Sequence, residues 1–260
     1  MGQGRKYKLT TMADKLLALL AFYRFYLTDE LLGCLVGLDA STVCRLQQRL
    51  EPLLEQAADP RLGLSLRRRL PPGAKKIGTW EKLLEVCPEF AEVVTDATEQ
   101  PRQRPPRRTQ RRWYSGKRKR HTIKTQITVT RRGRVLRVSR SVPGRLHDYA
   151  LFQRDQTAQC LPVRTRHYVD RGYDGAQTEH PDYQVLVPVK KRRNHRVLTR
   201  AERRGNRRLA RIRIGVEHVL SRLKKYQVLA QVYRHRIADY NRRFRNVAAL
   251  TNFRLAPAVA

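Results

Sequence analysis

Between Glu99 and Asp148 the sequence contains no carboxylate. Within that interval the stretch PRQRPPRRTQRRWYSGKRKR, Pro101–Arg120, carries ten Lys or Arg, and a second stretch, Lys190–Arg213, carries twelve with a single acid. Runs of this kind normally form solvated faces or tails. Here they lie between segments with core periodicity, so the chain must fold with its cations lining a surface between buried elements. Over the whole chain 56 Lys and Arg oppose 22 Asp and Glu, a net charge of +34. A compact body so charged repels itself unless a polyanion offsets it. Nucleic acid is the leading partner, because each cation set on a phosphate releases a condensed counterion. An anionic membrane ranks lower: no apolar run approaches about 18 residues, and no secretory or lipidation signal is present.

The 260 residues suffice for one large domain or a medium and a small one, and the 40% hydrophobic content supports a core. The four cysteines form no C-x-x-C pair and lack His partners at zinc spacing, which reads as reduced thiols in a cytoplasmic protein.

Met12–Leu27 has apolar residues at helical spacing and no breaker. Thr28 or Asp29 caps a short helix whose end is bracketed by Gly33 and Gly37, and Asp39 or Ser41 caps a second that runs to about Leu50. Two helices about a tight turn suit a helix-turn-helix, with Ser41, Thr42, Arg45, Gln48 and Arg49 of types that bond base edges and phosphates. A plain helical hairpin used for packing or dimerisation has the same pattern. Pro71–Trp80 reads as a linker. Beyond it the periods alternate. Strands are expected at Glu92–Glu99, His121–Thr130, Arg134–Val142, Arg166–Tyr173 and Tyr183–Lys190, with helices at Asp148–Gln156 and from Arg200 to about Lys225. The expected class is α/β, a mixed sheet flanked by helices behind a helical N-terminal part.

In the first basic run and just past it, Lys117, Arg118, Lys119, Arg120 and Lys124 are expected to contact DNA. Trp113 and Tyr114 either stack on unpaired bases or anchor the loop to the core. Against this background three acids stand out: Asp96 and Asp170 at strand ends, and Glu217 on the closing helix. Singly, each has an ordinary explanation as a turn cap or a helical ion pair. Together, strand-end and helix carboxylates can converge on two divalent cations and cut a phosphodiester. On the closing helix Ile212, Val216, Val219 and Leu223 make one apolar stripe, while Arg213, Glu217 and Lys224 fall within about 40° of one another in a neighbouring one. Asp148, before a helix, is either an N-cap or a rival for the second acid; Asp174 opens a DG turn; His147 is a nearby titratable group.

The spacing Arg213, three residues, Glu217, six residues, Lys224 resembles the end of the Y-(2)-R-(3)-E-(6)-K signature of bacterial insertion-sequence transposases, with Ala210 where the signature has Tyr. The blocks VVTDATE, WYSGKRKRHTIKTQ, PGRLHDYALF, VDRGYDG and the tail VYRHRIADYNRRFRNVAALTNFRL resemble, in order, those of the insertion sequence five family of DDE transposases. The resemblance implies a helix-turn-helix DNA-binding domain (1–70), a linker (71–90) and a ribonuclease-H-like catalytic domain (91–260). It implies Asp96, Asp170 and Glu217 as catalytic ligands of two Mg²⁺ or Mn²⁺ ions. Arg213 and Lys224 carry over as DNA contacts, and His147 and Asp148 flank the site. The implied activity is cleavage at terminal inverted repeats and 3′-OH strand transfer into target double-stranded DNA, by a homodimer associated with the bacterial nucleoid. A transposase-derived DNA-binding protein that no longer cuts, or a basic chromatin-like binder, is the competing expectation.

Overall fold

The computed structural model describes residues 9–57, 79–191 and 197–255. The chain opens with three helices. In α1, Met12–Phe25, Thr11 Oγ1 accepts from the Asp14 amide while the Asp14 carboxylate accepts from the Thr11 amide, a reciprocal cap. The helix stops where Tyr26 turns left-handed, before the expected Leu27. Helix α2, Asp29–Val36, has Thr28 as its N-cap and ends at Gly37, φ 68°. Gly33 is required for the turn that follows, because a Cβ there would meet Leu38 O at 2.4 Å. Helix α3, Ala40–Ala57, starts under the Asp39 carboxylate, which accepts from the Thr42 amide at 2.9 Å, and runs through Pro52 well past Leu50. Of the expected linker, 71–78 lie outside the described residues. The remainder includes helix α4, Trp80–Val86, capped by Thr79.

The sheet comprises β1 Glu92–Pro101, β2 Tyr114–Ser115, β3 Arg120–Thr130, β4 Val135–Val138, β5 Val142–Pro143, β6 Arg166–Tyr168 and β7 Val185–Leu186. Strand β3 lies antiparallel to β1 and also pairs with β2, β4 and β5; on the other edge of β1, β6 and then β7 run parallel. The expected strand Arg134–Val142 is split because Asn241 intervenes: its side chain accepts from the Ser141 amide and donates to Ser139 O. The expected strands beginning at Arg166 and Tyr183 are short, because the chain leaves the sheet after Tyr168 into a tight 3-10 turn, Arg171–Tyr173. The remaining helices are α5 Gln110–Trp113, α6 Asp148–Arg154, α7 Ala176–Glu179, α8 Arg200–Lys224 and α9 Ile237–Phe253.

Strand alternation divides the core between the two sheet faces. Val94, Ile123, Ile127 and Val129 pack with Val216, Val219 and Leu223 of α8, with Phe244 and Val247 of α9, and with Leu19, Phe22 and Tyr23 of α1. Of the apolar stripe expected on α8, Val216, Val219 and Leu223 are buried, each contributing about 1.5–3 kcal/mol, and Ile212 is partly buried against the same core. A smaller cluster of Phe152, Val169, Tyr173, Ala176 and Val185 joins α6, α7 and the parallel strands. Among the described residues, no helix is long and apolar enough to cross a membrane.

The three N-terminal helices share the larger core with α9, and a buried ion pair fixes the contact. Arg243 Nε donates to Glu51 Oε1 at 2.7 Å, with the two side chains 5% and 2% exposed, and the guanidinium lies 5.0 Å over the Phe22 ring. Asn246 adds hydrogen bonds to Tyr23 Oη and Glu51 O. Breaking such a pair strands a buried charge. Arg243→Ala is therefore expected to lower the unfolding free energy by about 3–5 kcal/mol in denaturant titration. A loss below about 1 kcal/mol would show that the α3–α9 contact does not hold the helices to the sheet.

Candidate active site

Parallel pairing of β1 with β6 ends at Val94 opposite Tyr168. Side chains two residues apart share a face, so continuing that register places Asp96 beside Asp170. By then β6 has left the sheet, which opens a crevice at the carboxyl end of the strand, where the antiparallel half of the sheet meets the parallel half. Crevices of this kind are where open α/β sheets take ligands. Asp96 sits within β1 rather than at its end, as the expected strand had it, because β1 continues to Pro101 against β3.

A buried polar chain holds the strands here. Thr95 Oγ1 lies 2.7 Å from Thr128 Oγ1 and 2.6 Å from His167 Nε2, tying β3, β1 and β6 together. Burial lowers the His167 pKa to about 3, so the ring is neutral. Tyr173 Oη donates to Gln126 Oε1 at 3.2 Å, which seats the turn carrying Asp170.

The two aspartates share one cation. Arg213 of α8 places Nη1 3.0 Å from Asp170 Oδ1 and Nη2 3.7 Å from Asp96 Oδ2. The Arg213 side chain is 16% exposed, and its Nε is buried without a hydrogen-bond partner. Asp96 Oδ1 also accepts from the Ala97 amide, and Asp170 caps the turn by accepting from the Arg171 amide. Burial raises the Asp96 pKa to about 6; the Ala97 amide and Arg213 oppose the rise, and Asp170 and Asp148 add to it. Lys224 is half-buried; burial and the neighbouring Arg118 lower its pKa, and Asp96 opposes the fall, which places Lys224 near both.

Glu217 stands one turn along α8 from Arg213, exposed, and its side chain makes no ion pair or hydrogen bond among the described residues. No group of three His, Cys, Asp or Glu at metal-binding spacing occurs among those residues. The structure thus brings Asp96 and Asp170 together around a guanidinium, with Glu217 outside that contact. Two carboxylates, one on β1 and one in the turn after β6, that already share a cationic group are an all-oxygen donor set of the kind Mg²⁺ and Mn²⁺ prefer.

The other expected site residues divide by what they touch. Arg213 is turned inward to the acids rather than outward to phosphate. Lys124 is a correction too: its side chain is 7% exposed and its ammonium is committed to Asp148 at 2.7 Å, Glu99 at 3.5 Å and Leu146 O at 2.5 Å. Asp148 is held by this lysine against Gly172, while His147, not Asp148, occupies the N-cap of α6. Asp174 precedes Gly175, φ 98°, the left-handed residue of its turn. Trp113 is half-buried under Arg102, whose guanidinium carbon lies 4.2 Å from the ring centroid. Tyr114, Lys117, Arg118, Lys119 and Arg120 are exposed. On α3, Ser41, Arg45, Gln48 and Arg49 are exposed, and Thr42 is tied to Asp39. The Glu99–Lys124 pair escaped the sequence reading, although the two residues face each other across β1 and β3.

A family model described as DDE superfamily endonuclease matches residues 95–252. That span holds Asp96, Asp170, Arg213, Glu217 and Lys224. A probable transposase for insertion sequence element IS702 from Microchaete diplosiphon is 32% identical over 255 residues, covering 97% of this chain and 84% of the relative. No solved structure gives a significant match.

The raised Asp96 pKa has a consequence for stability. The folded chain holds this proton up to about pH 6, against an ordinary value of 3.8, so folding is favoured at low pH and that contribution is lost as pH rises through about 6. At pH 8 Asp96→Asn, neutral and of the same shape, is expected to gain about 1–3 kcal/mol of stability over the parent chain, with no gain near pH 4. Unfolding curves at the two pH values measure it, and a pH-independent difference would contradict the burial of an ionised group.

Proposed function

Because the chain belongs to the DDE superfamily endonucleases, among the insertion-sequence transposases, we propose that it binds the terminal inverted repeats of a transposon and catalyses metal-dependent strand cleavage followed by 3′-OH strand transfer. The observation that carries the reading is the convergence of Asp96 and Asp170 on one cation at the end of β6, with Glu217 on the next turn of the helix that supplies it. An antiparallel set of strands beside two parallel ones, with β1 at the junction, supports a ribonuclease-H-like catalytic domain. The exposed row Ser41, Arg45, Gln48 and Arg49 on the second helix of a tight turn supports helix-turn-helix recognition of duplex DNA by the N-terminal part.

Asp96, Asp170 and Glu217 are the residues that would hold Mg²⁺ or Mn²⁺, two ions in the full site, which when bound supply an activated water or hydroxyl and stabilise the leaving oxygen. The protein groups do the positioning. Asp96 and Asp170 are aimed by the Ala97 and Arg171 amides, so their carboxylates are fixed before any ligand arrives. Arg213 keeps the two like charges together. Because its guanidinium is a long-armed fork, Arg213 could also reach a phosphate oxygen of a bound strand. Lys224, near Asp96, and Arg118, near Lys224, then lie along the path of the strand entering the crevice. Lys117, Lys119 and Arg120 extend that path outward, and His147 and Asp148 border it. Joining two transposon ends suits a homodimer assembled on DNA.

Incubation with duplex carrying the terminal repeats that flank its own coding sequence, with Mg²⁺, should nick the DNA. Asp96→Ala, Asp170→Ala and Glu217→Ala should each lower the rate about 10²-fold or more, the several kcal/mol that metal-assisted stabilisation supplies. Undiminished cleavage in the Glu217 variant would remove that residue from the site. Tight binding with no cleavage by the parent chain would leave a DNA-binding protein descended from a transposase.

A further inference from the structure

Helix α1, MADKLLALLAFYRF, is apolar nearly all round. A helix of that composition is normally enclosed on every side. Here Leu19, Phe22 and Tyr23 turn into the larger core. At about 100° per residue, Ala13, Leu16, Leu17, Leu20 and Arg24 fall on the other side, within about 100° of one another. Leu17 is 67% exposed, Ala13, Leu16 and Arg24 are exposed too, and Leu20 is half-buried. After the turn, α2 exposes Leu31 and Leu35. The charge around this face is as unusual for the chain as its apolarity. Residues 9–57 hold four Lys or Arg against six Asp or Glu, where the whole chain carries +34. Two of those acids, Glu51 and Glu55, are committed to Arg242, Arg243 and Arg245 of α9, which leaves four against four.

We propose that the outward face of α1 is the contact between two copies of this chain, the two helices packed antiparallel across a two-fold axis. Charge selects the occupant. Two bodies of net charge +34 repel each other over most of their surface. A second copy can approach closely only where charge is balanced, and the apolar stripe lies in that part of the chain. A nucleic acid would find one cation on the stripe, Arg24 at its end. An anionic lipid surface calls for a row of Lys and Arg beside the apolar face, which α1 lacks. The stripe is also self-complementary, as an isologous contact requires. With the axis midway between Leu17 and Leu20, Leu17 of one copy meets Leu20 of the other and Leu16 meets Ala21. Arg24 then comes against Ala13 and the neighbouring Asp14 carboxylate, and the two helix dipoles oppose each other. The exposed residues Ser41, Arg45, Gln48 and Arg49 lie on another helix and take no part. The contact forms without DNA and does not rest on the nuclease reading. Three turns of one helix bury less than a standard interface, so the affinity is about micromolar.

The test is sedimentation velocity of the full chain, freed of nucleic acid by nuclease treatment, over a concentration series from about 1 to 100 μM. The parent should pass from monomer to dimer within that range. Leu17→Glu and Leu20→Lys should each weaken self-association about tenfold or more. Helicity by circular dichroism and Tm should stay those of the parent, because Leu17 lies outside the core and a lysine keeps an aliphatic stem over the half-buried position 20. Mixed together, the two variants should associate again, because the antiparallel register sets the new carboxylate against the new ammonium. A parent that stays monomeric, with or without a fall of Tm in Leu17→Glu, would overturn the inference; such a fall would assign the cover to another part of the same chain. A dimer that Leu17→Glu leaves intact would overturn it as well, and a mixture no more associated than either variant alone would overturn the antiparallel pairing. A chain that dimerises through α1 and never cuts would keep this inference and reject the nuclease, and a monomer that nicks terminal-repeat duplex would do the reverse.

Discussion

Two carboxylates set side by side in a half-buried crevice can both ionise only with a cation between them, and this constraint organises the site. The parallel register of β1 and β6 dictates that Asp96 and Asp170 meet, because they lie two residues beyond the paired Val94 and Tyr168. Helix α8 must then pass at a height that delivers a cation. Its apolar stripe of Val216, Val219 and Leu223 fixes its rotation on the sheet, and Arg213 is the residue that this rotation turns toward the acids. Even so the neutralisation is incomplete, since burial keeps the Asp96 pKa near 6 despite the guanidinium. A site that leaves a carboxylate under-compensated retains attraction for a further positive charge.

The same logic operates deeper in the fold. Arg243 with Glu51 and Lys124 with Glu99 and Asp148 are cations enclosed with matched oxygens. The first clamps the N-terminal helices to α9; the second clamps the loop before α6 to β3. Each cation also makes contacts beyond its ion pair, Arg243 over the Phe22 ring and Lys124 to the Leu146 carbonyl, and such extra contacts are what allow a buried charge to persist.

These pairings explain what could and could not be read from the sequence. The stripe on α8 was legible, because apolar spacing along one helix is a local property, as was the hairpin of β3 and β4 about Gly133, φ 79°. The meeting of Asp96 with Asp170 could be suspected from the scarcity of acids together with their expected strand-end positions and the family resemblance. Helix α9 was not read as an element from its own pattern. Its buried Arg243 and Asn246 interrupt the apolar period, and what makes them burial-competent, Glu51 and Tyr23, lies about 190 to 220 residues earlier in the chain. Lys124 looked like one more surface cation for the same reason: its partners come from β1 and from the loop before α6. The inward turn of Arg213 depended on where β6 stops, and a strand cut to three residues by the turn after it leaves little periodic signal.

Scarcity of acid makes this arrangement specific. With 22 acids against 56 strong bases, an internal cation has few carboxylates to choose among, so misplaced pairings find no stable alternative. The converse applies outside. Acids drawn into the crevice, the Glu99–Lys124–Asp148 cluster and the α3–α9 clamp cannot cancel the field of the exposed arginines and lysines along Pro101–Arg120. That field extends about 8–10 Å at physiological ionic strength. A polyanionic strand would thus be drawn first by that field and sorted afterwards by the interior. There the few carboxylates favour cations, and Arg213 and Lys224 beside them are the groups left to meet phosphate.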